Sequence, residues 1–227
     1  MDAAFFRAWL AQAAAVVESQ RDHLTQLDAA IGDADHGTNL ARGFGAITAA
    51  LEQASTPTPG SVLTLAGTTL ISKVGGASGP LYGMAFRQAG KALGSIPQAD
   101  LSALAGALEA ALAGVQKLGA AREGEKTMVD ALAPAVSALA TASAQGASVT
   151  EALSALASAA AAGAQATISM QALKGRASYL GPRSVGHEDP GAASTALILA
   201  ALRDVALGDA ASAESTAHDP APPGQAR

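Results

Sequence analysis

The sequence contains no cysteine, which removes disulfide scaffolds, Cys-ligated zinc or iron–sulfur sites and thiol nucleophiles together. Aromatic residues are nearly as scarce. Four Phe, two Tyr and one Trp make up 3% of 227 residues, too few for a base-stacking platform. Charge is thin, at 15%, and leans acidic: 14 Lys plus Arg against 19 Asp plus Glu give a net −5. A nucleic-acid surface needs clustered basic residues, so no nucleic-acid partner is expected. No run reaches the ~18 uninterrupted apolar residues of a membrane span, because Glu, Gln, Ser and Gly interrupt the alanine-rich stretches. The opening Met1-Asp2-Ala3-Ala4-Phe5-Phe6-Arg7 lacks the basic start of a signal peptide. These absences predict a cytoplasmic protein with no membrane contact. β-Branched alternation, the mark of half-buried strands, is nearly missing too.

What remains is 49% hydrophobic and dominated by alanine and leucine, the best helix formers. The apolar spacing predicts eight helices and no strand. Asp2 caps the first, whose stripe of Phe5, Trp9, Ala13, Val16 and Val17 continues through Leu24 and Leu27 to an end near Ile31-Gly32. The second runs from about Thr38 to Gln53. Ser61 caps the third, the fourth ends near Leu93, and Asp100 caps the fifth. The sixth begins near Lys126 and would be kinked by Pro134 unless it starts later. The seventh covers about Val149–Met170, and Asp189-Pro190 opens the eighth. The expected fold class is all-α: one antiparallel bundle or barrel over residues 1–207. The Pro-rich residues 208–227 are read as a disordered tail.

The polar residues collect at helix junctions. Asp28, Asp33 and Asp35 gather around Gly32 with no basic neighbour, and three converging carboxylates repel unless a hard divalent cation joins them. An EF-hand is excluded because its twelfth loop position, counted from Asp33, is Phe44 rather than Glu. Mg²⁺ suits such a site, since it fills its remaining positions with phosphate oxygens and water. The simpler alternative is that these residues cap helices. Val74-Gly75-Gly76-Ala77-Ser78-Gly79-Pro80 is a glycine-rich turn whose following helix would favour an anion, although a tight turn alone would also explain it. It is neither a P-loop nor a dinucleotide fingerprint. Arg122–Asp130, taken singly, reads as a solvated turn. The Lys174–Gly191 segment offers Arg176 and, less favourably placed, Arg183 as phosphate ligands. His187 is a candidate acid–base group, although a lone His is more often structural. Together these parts could hold a nucleotide polyphosphate with Mg²⁺ outside the P-loop and kinase folds.

Four runs carry a family resemblance: Leu27–Gly37, Gly75–Gly79, Glu125-Lys126-Thr127-Met128, and Lys174–Gly181 extended by Ser184–Gly191. They resemble, in the same order and across about residues 5–205, the L subunit, or nucleotide-binding subunit, of dihydroxyacetone kinase. The resemblance implies an eight-helix antiparallel α-barrel with ADP or ATP at one end. Asp28, Asp33 and Asp35 match the family's ligands for two Mg²⁺ ions. His36, Gly37, Thr38, Asn39, Ala77 and Ser78 match its nucleotide-contacting stretches, with Gly119 and Met128 beside the nucleotide. Arg176, Asp189, Pro190 and Gly191 match residues that close the same site. Glu125 stands where the family often carries Asp.

No catalytic residue is assigned to this chain by the resemblance. The ketose-holding His belongs to a separate K subunit, so the chain is expected to be half of an enzyme. The resemblance further implies a phosphotransferase-system partner, the M subunit, that rephosphorylates bound ADP in place. The alternatives are an ATP-dependent subunit acting on another small ketose such as a tetrulose, and a nucleotide-loaded module that docks on a transcription regulator.

Overall fold

The computed structural model describes residues 1–217, with side chains to residue 210. Nine α-helices form among them: α1 (Ala3–Ser19), α2 (Arg21–Ile31), α3 (His36–Gln53), α4 (Pro59–Lys73), α5 (Ser78–Leu93), α6 (Leu101–Gly119), α7 (Val129–Ala144), α8 (Val149–Ala166) and α9 (Pro190–Ala217). Two 3-10 segments, Thr167–Ser169 and Arg176–Ser184, lie between α8 and α9. No strand forms among the described residues; a single bridge pairs Asp2 with Gln98.

Eight of the helices close a ring. α1 packs on α3, α3 on α4, and each later helix on the next through α9, which returns to α1. Most connections are short and make neighbours antiparallel, the longer ones being α2 between α1 and α3 and residues 167–189 between α8 and α9, so the expected eight-helix barrel is present. α2 stands outside this ring and packs on α3 and α9.

The first expected helix is in fact two. It breaks at Gln20, whose N–H turns back to the Glu18 and Val16 carbonyls. No Gly or Pro marks the break, and Leu24 is still buried after it, so the apolar stripe gave no warning. The third begins two residues before Ser61. Thr58 is its cap, and Ser61 returns the bond in a capping box. α7 starts at Val129, later than Lys126, and runs through Pro134. The Pro134 ring would block a bond to the Asp130 carbonyl, and Gly163 of α8 lies against that same carbonyl, where a Cβ would come within 2.1 Å. α9 continues through Gly208 to Ala217, because alanine on both sides sustains it; residues 218–227 of the expected tail lie outside the described residues. By length and composition Pro190–Ala210 could cross a membrane, yet half of it is buried in the ring, with Ala192, Leu199, Ala201 and Leu202 in the core.

The few large side chains are concentrated. All four Phe and Trp9 form one edge-on chain joining α1, α3 and α5, with ring centroids 5.7–6.2 Å apart. Trp9 Nε1 donates to the Ile198 carbonyl of α9 at 2.8 Å. Elsewhere close approach replaces bulk. α4 and α5 touch backbone to backbone: a Cβ on Gly67 would sit 2.5 Å from the Gly83 carbonyl, and one on Gly90 2.7 Å from that of Gly60.

Candidate nucleotide and metal site

Because ring neighbours alternate in direction, α3, α5, α7 and α9 all begin at one end of the barrel. Their first residues line a single cavity of about 310 Å³. Four helix N-termini thus point their partial positive charge into one space. The cavity also receives the C-terminal ends of α2 and α6.

The three aspartates meet at its edge. Asp28, Asp33 and Asp35 each offer a carboxylate oxygen, all within 4.8 Å of one another; Asp28 is buried and the other two are exposed. Asp28 is fixed by its own loop, since its Oδ2 accepts the N–H of Asp35 at 2.9 Å and of His36 at 3.1 Å. Its Oδ1 lies where a Cβ on Gly32 would be, 2.0 Å away, so Gly32 must be glycine for the carboxylate to sit there. Asp35 makes no cap bond with its own side chain, so of the three aspartates it is Asp28 that caps the start of α3. An all-oxygen, doubly exposed carboxylate set fits a hard cation with open positions. Arg176 Nε bonds Asp33 at 3.0 Å, placing a guanidinium between the acidic junction and the Lys174–Gly191 segment.

The glycine-rich turn contributes Gly76, Ala77 and Ser78 to the lining. α5 starts there with no side-chain cap bond, and Gly79 is pressed against the Val74 carbonyl, where a Cβ would lie 2.4 Å away. The open N–H groups of this turn are suited to phosphate oxygens. Leu81, Val115, Ala121, Met128 and Val129 supply an apolar wall beside Gly119. The site therefore has an acidic rim, an amide-rich centre and an apolar wall, a match to metal, phosphates and a base.

Twelve of the fifteen residues singled out from the sequence line this cavity: Asp28, Asp33, Asp35, His36, Ala77, Ser78, Gly119, Met128, Arg176, Asp189, Pro190 and Gly191. Gly37, Thr38 and Asn39 do not. Gly37 packs under α2, where a Cβ would sit 2.0 Å from the Arg21 carbonyl; Thr38 is exposed, and Asn39 is buried with its Oδ1 accepting from Arg42 at 2.8 Å. Arg183 is exposed and away from the lining, and His187 exposes its imidazole while offering only its carbonyl.

Among the lining residues that were not singled out, two buried polar side chains matter most. Lys126, 1% exposed, donates to the carbonyls of Thr167 at 2.7 Å and Met170 at 3.2 Å and to that of His187. It lies at φ 60°, one of three non-glycine residues in the left-handed region, with Ala34 and Ala120; all three are in junctions at this end. Its place inside the Glu-Lys-Thr-Met motif was the available signal. Tyr82 is the other, 4% exposed, one turn beyond the glycine-rich turn. Burial pushes its phenol up to about 12. Burial also raises Asp189, to about 7, against the opposing bond from the Ala192 N–H at 2.7 Å. Burial lowers Lys126, with Asp189 opposing, and lowers His36, with Asp28 and Asp35 opposing.

Known proteins share this architecture. The DAK2 domain model matches residues 30–204. The chain is 43% identical over 194 residues to the PEP-dependent dihydroxyacetone kinase 1, ADP-binding subunit DhaL, of Listeria innocua, spanning 86% of this chain and 92% of that one. The corresponding Escherichia coli subunit is also 43% identical over 194 residues, with the same coverage. The dihydroxyacetone kinase of C. freundii, solved in complex with AMP-PNP and Mg²⁺, superimposes with a TM-score of 0.68 at 31% identity, over 90% of this chain. This chain spans 34% of that longer protein. By sequence along most of its length and by the fold of its helical ring, the chain belongs to the DAK2 domain family, that of the dihydroxyacetone kinase ADP-binding subunits.

Proposed function

We propose that the chain is the cytoplasmic ADP-binding subunit of a phosphoenolpyruvate-dependent dihydroxyacetone kinase. The observation that carries this reading is the convergence of three carboxylates and four helix N-termini on one cavity. Asp28, Asp33 and Asp35 would hold two Mg²⁺ ions, which when bound neutralise phosphate charge. The chain's own groups do the rest. The amides of the Gly76–Gly79 turn and the Ser78 hydroxyl orient the phosphates, Arg176 closes the rim with its guanidinium, and the apolar wall excludes water from the base. Burial, against Asp28 and Asp35, lowers His36, and its imidazole serves as a hydrogen-bonding group to Ser194. Catalysis is positioning and electrostatics, with no covalent intermediate on this chain. The phosphoryl acceptor, dihydroxyacetone, is held by a separate K subunit, and bound ADP is rephosphorylated in place by a phosphotransferase-system M subunit.

Native mass spectrometry of the purified chain tests the mode: retained ADP with two Mg²⁺ supports it, whereas an empty chain that exchanges ATP rapidly points to direct use of ATP. Calorimetry tests the metal assignment. Asp33→Ala should weaken Mg²⁺-dependent ADP binding at least about tenfold, roughly 1.4 kcal/mol, and undiminished affinity would sink it.

A further inference from the structure

The Tyr82 phenol sits where three of the site's junctions meet. It arises from α5, behind the glycine-rich turn, and reaches the first turns of α9. Its oxygen is 2.7 Å from Ser194 Oγ, 2.8 Å from Thr195 Oγ1 and 3.1 Å from the Gly191 carbonyl. Ser194 Oγ is in turn 2.8 Å from Nε2 of His36, the first residue of α3. The N–H of His36 is held by Asp28 Oδ2. Hydrogen bonds therefore link α5 through α9 to the His36 imidazole, and the His36 residue itself, whose backbone N–H is held by Asp28, joins that chain to the buried carboxylate of the acidic rim. One polarity uses every proton once: His36 Nε2–H donates to Ser194, Ser194 to Tyr82, Tyr82 to Thr195, and Thr195 to the Gly191 carbonyl.

The phenol is not needed to satisfy the two α9 hydroxyls. Ser194 and Thr195 each also reach the Gly191 carbonyl one turn back on α9, at 3.1 and 2.8 Å. A phenylalanine at position 82 would keep the ring's packing and leave neither hydroxyl an orphan. What it would lose is the connection between helices. A hydroxyl pair that serves only the fold of α9 does not require a phenol from α5 or an imidazole from α3; a site whose metal-facing and nucleotide-facing walls must hold one geometry does.

We propose that Tyr82 is a positioning residue: through Ser194 and His36 it locks the Asp189-Pro190-Gly191 wall to the acidic rim, so that magnesium and nucleotide bind as one unit. This rests on the ADP-binding reading above. The test is calorimetry of ADP binding across a Mg²⁺ titration, on wild type, Tyr82→Phe, Ser194→Ala and the double variant, with urea unfolding of each. Each single variant should weaken Mg²⁺-dependent ADP binding about fivefold, the scale of one neutral hydrogen bond, and shift half-saturation to higher Mg²⁺. The double variant should lose no more than either single one, because both cut the same path. Ser194→Ala acts from a different helix, so it keeps the test open if Tyr82→Phe unfolds. A loss under about threefold in both single variants, or losses that multiply in the double variant, overturns the proposal. Wild type that binds no ADP with Mg²⁺ overturns the ADP-binding reading instead.

Discussion

At one end of the barrel α1, α4, α6 and α8 begin, and each closes its first turn with a side chain of its own. Asp2, Thr58, Asp100 and Ser148 accept from the N–H groups of Phe5, Ser61, Ala103 and Glu151. At the other end α3, α5 and α7 begin at Asp35, Ala77 and Met128, and none of these makes a side-chain cap bond. The residue before α9, Asp189, buried and pushed toward its neutral form, accepts from Ala192, while the first amides of α7 and α3 go to the Thr127 hydroxyl and to Asp28. One end thus completes its hydrogen bonding from local sequence. The other relies also on residues from elsewhere in the chain, Asp28 for α3 and Lys126 for the carbonyls before α9. Stability is local at the first end and conditional at the second, where a ligand can be held.

That contrast can be broken in order of expected effect. Asp189 has a folded-state value of about 7 against 3.8 unfolded, so the native chain keeps a proton that the unfolded chain has already released between those values. Stability should therefore fall as pH rises from about 4 to 7, by on the order of 4 kcal/mol for this group, and level off above. Asp189→Asn preserves the cap and should flatten this slope in urea unfolding; parallel curves for the two proteins would remove Asp189 from the account. Next, Lys126→Met leaves the Met170 and His187 carbonyls without their donor, while that of Thr167 keeps the Met170 N–H. A loss of about 3 kcal/mol is expected, together with faster release of bound nucleotide, and stability within experimental error of wild type would show that the segment before α9 holds itself. The far end supplies the control. Asp100→Ala should cost about 1 kcal/mol of stability and leave ADP affinity unchanged, since its helix starts away from the cavity. Altered affinity there would show that the two ends communicate.

The sequence made the local end and the ligand-facing residues readable for the same reason. Asp2, Asp100 and the Asp28/Asp33/Asp35 group act within a few residues of their own position, so spacing is enough to find them. In a chain with 15% charged residues such clusters also stand out against alanine. Residues whose partners are remote were opaque. Lys126 reads as part of a solvated turn until Thr167 and His187 are brought to it. Tyr82 reads as one more core residue of α5 until α9 and α3 meet its hydroxyl. The break at Gln20 was hidden because it involves no helix-breaking residue, and Gly37 was assigned to the nucleotide by motif although its missing side chain makes room for the α2 backbone.

Trp9 is the chain's single tryptophan, and its indole N–H is anchored on the Ile198 carbonyl of α9. It borders a small apolar cavity whose lining also includes Tyr82 and Met128, two residues of the candidate-site cavity wall. The molecule therefore carries one native indole, selectively excitable beside its two tyrosines, set against the wall that ligand binding would brace. Its emission reads the seating of α9 directly, without labelling and without cysteine chemistry that the sequence does not offer.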